Sequence, residues 1–335
     1  MPNEEHLLLL DRDSVQRLLT PDMALAAVRE AFVLHARREG RGFPVVREAL
    51  PTGGVFGIKS GDVAGQDLLG FKAAGFWPGN RARGAEPHQA TVLLFDPATG
   101  RPQCVIDGNA LTTLRTGAAG ALGLQCLARP DSATATVFGT GVQARVQLDF
   151  ALRTLPTLRK VFYASRAGVA DTGFEAAFAG RCDLQWTADA DAAVARSDLV
   201  ITATPGAGPL FDARCVRPGT HLNCVGADTR GKRELPPGLL PRCRLVVDDA
   251  DQARQLGELQ WSPDTPCQEL GGLVAGQALF QRQATDISIF DMTGLALQDL
   301  VLARHLHQAA MASGAGTCLP WPWLAHRCTD KDTPQ

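Results

Sequence analysis

One stretch limits the fold more than any other. A short apolar run, ATVFG (135–139), enters a glycine turn, Gly139-Thr-Gly141-Val-Gln-Ala144, and leaves it as the helix-like VQARVQLDFALRT. A second apolar run, KVFYAS (160–165), follows. Strand, tight turn, helix and returning strand make up the unit of a parallel, doubly wound sheet. In such a turn the first glycine permits the bend and the second lets backbone approach a pyrophosphate. The third small residue lets the helix pack on the strand. Amides at a helix N-terminus would meet the phosphate charge. The pattern alone has two readings, a dinucleotide cradle or a structural turn. Its place between strand and helix favours the cradle.

The downstream pattern extends the unit. Residues 170–179 and 188–196 are helical, with a weak strand near LQW between them. DLVITAT (198–204), THLNCVGAD (220–228) and CRLVVDD (243–249) are further strands, and SIFDMTGLALQDLVLARHLH is a last strand running into a helix. Upstream, residues 14–39 read as helix, punctuated by a Thr20 cap and Pro21 in the first turn. Residues 43–60 and 68–77 hold β-like runs, TVLLFD-PATGRP-QCVID reads as a hairpin, and the small residues of 111–128 predict a closely packed helix. The expected fold class is α/β: a Rossmann doubly wound parallel sheet over 121–304 plus an N-terminal α/β domain of 1–120 with 305–325. The stretch 313–335 is expected to hug the surface or fray.

Composition narrows the function classes. The 335 residues suit two domains at roughly 100–200 residues each. Charged residues are 20%, nearly balanced, with a formal net charge of -2, so no global field invites nucleic acid or an anionic membrane. The nine cysteines include no C-x-x-C pair, and no histidine spacing completes a zinc site. Their scatter suits reduced thiols in a cytoplasmic enzyme without a metal. The start, MPNEEHLLLL, is acidic where a signal peptide is basic, and no apolar run nears the roughly 20 residues that span a bilayer.

Several charged residues ask for a ligand. The second strand of the glycine unit ends in Ser165-Arg166, with no acid to meet ribose hydroxyls. A guanidinium there suits a 2′-phosphate, which favours NADP(H) over NAD(H); the alternative is an exposed arginine that accepts either. Arg47, Lys59, Lys72 and Arg115 lie in apolar, glycine-bearing or small-residue surroundings. Buried cations are costly unless paired, no neighbouring acid in the sequence neutralises them, and an anionic ligand would. Each alone also reads as a surface charge. Asp228 follows a predicted strand, where open sheets bind ligands, and could exchange a proton with an amine or imine nitrogen; the alternative is a loop cap. His88 reads as a hydrogen-bonding structural histidine near the site mouth. No Ser-His-Asp or Cys-His arrangement is suggested.

Taken together, GFKAAGFWPGN, HQATVLLFDPATGRP, DGNALTTLRTGAAGAL, VFGTGVQA, RPGTHLNCVGADTRGKREL and IFDMTGLALQDL resemble the ornithine cyclodeaminase/mu-crystallin family, in the family's order from about residue 43 to 310. The resemblance implies that Arg47, Lys72 and Arg115 hold a substrate α-carboxylate and that Asp228 is the acid/base, with Lys72 beside it in the catalytic set. It implies that Gly139, Gly141, Gln143 and Ala144 meet the pyrophosphate, and that Thr91, Arg115, Thr204, Lys232 and Thr293 lie near cofactor or substrate. Hydride would pass between the nicotinamide and the amino-acid Cα. The first domain would bind substrate and form a homodimer.

One departure from the family pattern matters. Cyclodeaminases carry a glutamate in a motif like VIEFMP; here the stretch is VFGIKSG, with Gly57 in its place and Lys59 nearby. Losing an acid and gaining a cation argues against a diamino acid and suits a second carboxylate. Lys59 as a plain surface lysine is the alternative. The expectation is an NAD(P)-dependent oxidoreductase joining a small α-imino acid and an L-amino acid, such as iminosuccinate and aspartate. Its rivals are a cyclodeaminase-type lyase with catalytic NAD+, an alanine dehydrogenase or cyclic ketimine reductase, and a mu-crystallin-like NADPH- and ligand-binding protein.

Overall fold

The structure, a computed structural model, describes residues 6–321. Two sheets organise it. The first takes β1 (His6–Leu10), β2 (Arg41–Gly42), β3 (Val46–Ala49), β4 (Val55–Val63), β5 (Leu68–Phe76), β6 (His88–Phe95) and β7 (Pro102–Asp107). The second takes β8 (Thr134–Phe138), β9 (Lys160–Ala164), β10 (Asp183–Trp186), β11 (Leu199–Thr202), β12 (His221–Cys224), β13 (Arg244–Val247), β14 (Cys267–Glu269) and β15 (Ser288–Asp291). The chain then returns to the first sheet as β16 (Thr317–Pro320). The helices are α1 (Arg12–Leu18), α2 (Pro21–Ala36), α3 (Gly108–Leu127), α4 (Val142–Thr154), α5 (Thr172–Ala177), α6 (Ala190–Val194), α7 (Ala250–Leu256), α8 (Leu270–Val274) and α9 (Ala296–Ser313).

The second sheet runs β10-β9-β8-β11-β12-β15-β13-β14, and every pair is parallel. From β8 the chain steps outward one way through β9 and β10, then crosses back to β11 and steps the other way. A crevice opens at the carboxyl ends of strands where the order reverses. This is the doubly wound parallel sheet that the glycine unit predicts. The strand β14 escapes the sequence reading, being three residues long and centred on a glutamine.

The first sheet is mixed, in the order β16-β1-β7-β6-β5-β4-β2, with β3 also paired to β4. Its inner face packs on α3 and α9, with α2 packed against those helices, around Val92, Leu94, Ile106, Phe32 and Leu300, all buried. Thr20 caps α2 by accepting from Met23 N at 3.1 Å, with Pro21 in the first turn. The glycines of α3 let α4 approach closely: a Cβ at Gly120 would run into the Gln147 carboxamide, which donates to Thr116 O at 2.7 Å. The strand β1 takes up the leucines of the opening run, whose first five residues lie outside the described ones. Of the stretch 313–335, the exposed β16 lies along the surface against β1, and 322–335 fall outside the described residues. The boundary read at 304/305 falls inside α9. The eight described cysteines are free thiols, and no helix among the described residues is long and apolar enough to cross a membrane.

Candidate active site

The glycine turn joins β8 to α4. Gly139 has φ 102°, a left-handed conformation open to glycine, and a Cβ there would stand 2.6 Å from Ala203 O. Gly141 is the N-cap of α4 and offers no side-chain bond to the helix, so its first amides face outward. A Cβ added at Gly141 would meet nothing within 4 Å, so there is room above the helix start. Ala144 is fully buried where helix meets strand. Gln143 Oε1 is buried without a partner, an acceptor open to a donor such as a ribose hydroxyl. An open helix N-terminus, free space and an orphan acceptor fit a dinucleotide. At the end of β9, Ser165 Oγ donates to Val169 O and Arg166 is exposed. The next acid along the chain, Asp171, caps α5 by accepting from Phe174 N at 2.8 Å.

The cations converge from the other sheet. Lys59 and Lys72 are directly opposite in the β4–β5 register, and Arg47 is opposite Gly57 in β3–β4. Side chains alternate along a strand, so Arg47, Gly57, Lys59 and Lys72 share one face. His88, opposite Phe76, is on it too. Burial, with Lys72 and Arg115 nearby, lowers the His88 imidazole to about 4, so it is neutral near pH 7. Thr91 is not brought to this face: it pairs with Ala73 and is exposed on the opposite side of the sheet.

Each cation is fixed by groups distant in sequence. Lys72, 4% exposed, lies 2.7 Å from Asp299 Oδ2. Arg115 Nε lies 3.1 Å from Asp299 Oδ1, and its terminal nitrogen donates to Gln298 Oε1 at 3.3 Å. Lys59 Nζ donates to the carbonyls of Thr293 (2.8 Å) and Gly294 (2.7 Å). Asp248 holds that segment from behind, accepting from Thr293 N, Thr293 Oγ1 and Gly294 N. No acid adjacent in sequence neutralises these cations, but one distant in sequence meets two of them: Asp299, on α9, lies between Lys72 and Arg115. Burial, reinforced by Arg115, lowers Lys59 to about 8. Burial lowers Lys72 to about 7, with Asp299 opposing and Arg115 and Lys59 adding to the fall.

Asp228 comes from the second sheet, four residues after β12. Its carboxylate accepts from Lys232 Nζ at 2.6 Å. Burial pushes the carboxyl up, but Lys232 and Arg47 outweigh it, so Asp228 sits below its ordinary value and is ionised. Arg47 reaches across and donates to Thr229 Oγ1 at 2.9 Å. Asp228 thus faces the cations across the gap between the sheets. Thr204 follows β11, and its N and Oγ1 donate to the buried Glu234. Sequence reasoning missed Asp248, Asp299 and Glu234 as site residues. Only Asp299 and Glu234 stood inside motifs singled out there, in GLALQDL and GKREL. Among the described residues, one group, His35, Asp249 and Glu269, gathers potential metal ligands, and it reads as an ion pair, His35 Nε2 to Asp249 Oδ2 at 3.3 Å.

Comparison with known proteins identifies similar chains and folds. Residues 5–314 match the Ornithine cyclodeaminase/mu-crystallin family. The iminosuccinate reductase of Paracoccus denitrificans is 33% identical over 92% of this chain and 98% of its own. Its structure with NAD+ superposes with a TM-score of 0.86 over 94% of this chain and 99% of that one. An archaeal alanine dehydrogenase dimer with bound NAD is 31% identical, with a TM-score of 0.87 over 94% and 99%. The Δ1-pyrroline-2-carboxylate reductase of Thermococcus litoralis, solved with NADH and L-proline, is 26% identical with a TM-score of 0.84, over 92% and 99%. Motif order, sheet topology and a match running almost the length of the chain lead to one assignment: this protein belongs to the ornithine cyclodeaminase/mu-crystallin family.

Proposed function

We propose that this protein is an NAD(P)-dependent oxidoreductase that interconverts a small α-imino acid and an L-amino acid. The observation that carries the reading is an ionised Asp228, on the loop after β12, set near Arg47 and Lys59 of the first sheet, with Lys72 and Arg115 gathered beside them on Asp299. Gly139, Gly141, Gln143, Ala144 and Thr204 would hold the dinucleotide, which would supply or accept the hydride when bound. Arg47, Lys72 and Arg115 bind the α-carboxylate, where guanidinium forks and a point charge suit a carboxylate. The ionised Asp228 takes the proton from the substrate nitrogen in the oxidative direction; in the reductive direction a proton drawn from solvent passes through it to the imine nitrogen, and a protonated C=N carbon is the better hydride acceptor. Lys232 holds Asp228 in place and favours its return to the ionised state.

A dicarboxylic imine such as iminosuccinate suits the site best. Gly57 puts no acid at its own strand position, and Lys59 adds a charge beside Lys72. Both features support a second substrate carboxylate and oppose a diamino acid. NADP(H) is favoured over NAD(H) because Arg166 is exposed at the end of β9 and Asp171 is engaged in capping. The outer face of the first sheet, with Ile58, Phe71, Leu93 and Val105 partly exposed, supports a homodimer through that domain. A cytoplasmic location fits the free thiols.

The test is a panel of keto acids with ammonia or methylamine, plus cyclic imines and L-ornithine, with NADH and NADPH oxidation followed for each. Oxidation of a nicotinamide with a dicarboxylic imine is the expected result. Release of ammonia and proline from ornithine without net redox change would establish the lyase instead. Coenzyme binding with no turnover on any substrate would leave a binding protein.

A further inference from the structure

We propose that Glu234 is a positioning residue that ties the cofactor-side loop after β11 to the acid-bearing loop after β12. The inference rests on the functional reading above and deepens it.

The two loops leave the carboxyl ends of adjacent parallel strands. One carries Thr204 and the other Asp228. Glu234 Oε1 accepts from Thr204 N (2.7 Å) and Thr204 Oγ1 (2.6 Å). Glu234 Oε2 accepts from Thr202 Oγ1 (2.7 Å) and Gly226 N (2.8 Å). One oxygen therefore serves the first loop, and the other joins the end of β11 to a backbone amide two residues before Asp228. The residue is fully buried.

Glu234 is itself held from behind. Its N donates to Glu258 Oε1 at 2.6 Å, and its carbonyl accepts from Leu210 N at 2.9 Å. The segment before it is fixed to the first loop, where Arg233 N donates to Gly206 O at 3.1 Å. The same segment carries Lys232, which pairs with Asp228. A buried carboxylate without these four donors would be costly; with them it fixes two otherwise separate loops at a set spacing. Hydride and proton transfer to one substrate demand that spacing, because small misplacements cost large factors in rate. A glutamine has one acceptor oxygen and would present an NH2 to donors on one side, releasing one loop.

The substrate carboxylate is held mainly by the first sheet, so the expected signature of Glu234→Gln is a split. Its kcat falls about 10-fold or more and its NAD(P)H Kd rises about 10-fold, while KM for the imine stays within about threefold. Circular dichroism and solution mass check that the variant is folded. A kcat and Kd within about twofold of the parent, in folded protein, would overturn the proposal, as would a rise in KM alone. Should the variant fail to fold, hydrogen exchange on the parent decides. The amides of Thr204 and Gly226 are expected to be protected far beyond the exposed Arg230; exchange at that loop's rate would refute the bridge. Cofactor Kd and exchange need no substrate, so a parent that reduces no imine would sink the functional reading while leaving Glu234 testable.

Discussion

Lys59 and Lys72 are cross-strand partners, so two ammonium groups stand side by side on one face of an antiparallel pair. Like charges in that relationship destabilise a sheet, on the scale of about 0.2–1 kcal/mol. The structure holds them with separate partners: the Thr293 and Gly294 carbonyls for one, the Asp299 carboxylate for the other. A dianionic ligand would relieve the repulsion further.

Lys59→Met separates the two roles of that pair. It should cost a dicarboxylic imine at least about tenfold in kcat/KM, the scale of a lost charge-assisted bond, and a monocarboxylic one such as pyruvate imine much less. Equal losses on both substrates would refute the second-carboxylate role.

Lys72 introduces a pH dependence into substrate binding. Its ammonium is lowered to about 7 in the free protein, chiefly by burial. Only the protonated form attracts a carboxylate, so KM is expected to climb as pH rises through that value. Lys72→Arg keeps its charge throughout and should flatten the climb. A parallel rise in both proteins would assign it to another group.

Asp228→Asn should lower turnover by about 10²-fold or more while coenzyme still binds. Unchanged turnover would remove Asp228 from the chemistry.

His35 gives a stability test away from the site. Its pKa is raised above 6.5, first by the hydrogen bond to Asp249, with burial opposing. Glu269 and Asp248 also favour the charged ring. A raised folded value means that the contribution is complete below about pH 6.5 and is lost as pH rises through the folded pKa. The Tm gap between parent and His35→Gln should therefore narrow on going from about pH 6 to pH 9. A gap that widens would reverse the assignment.

Much of this architecture is legible in the sequence because its signals are local. The glycine turn lies between apolar strand and helix, the PATGRP turn closes a hairpin, and Thr20-Pro21 opens a helix. The three-residue β14 offers too little pattern to detect. At the site, the cation set can be read one residue at a time, but its partners cannot. Arg115 and Asp299 are 184 residues apart, and nothing in either neighbourhood announces the other. Thr91 illustrates the same limit on a sheet. Its face depends on register with β5, and a one-residue shift would turn it toward Lys72.

The place of β1 has a consequence for how the polypeptide is made. That strand lies parallel to β7 and antiparallel to β16, between them. A ribosome releases β1 first, yet its outer neighbour emerges only after all eight strands of the other sheet. The first sheet therefore waits, one edge bare, until residue 320 is free, and loss of β16 would leave the backbone of that leucine strand open to pairing with other chains.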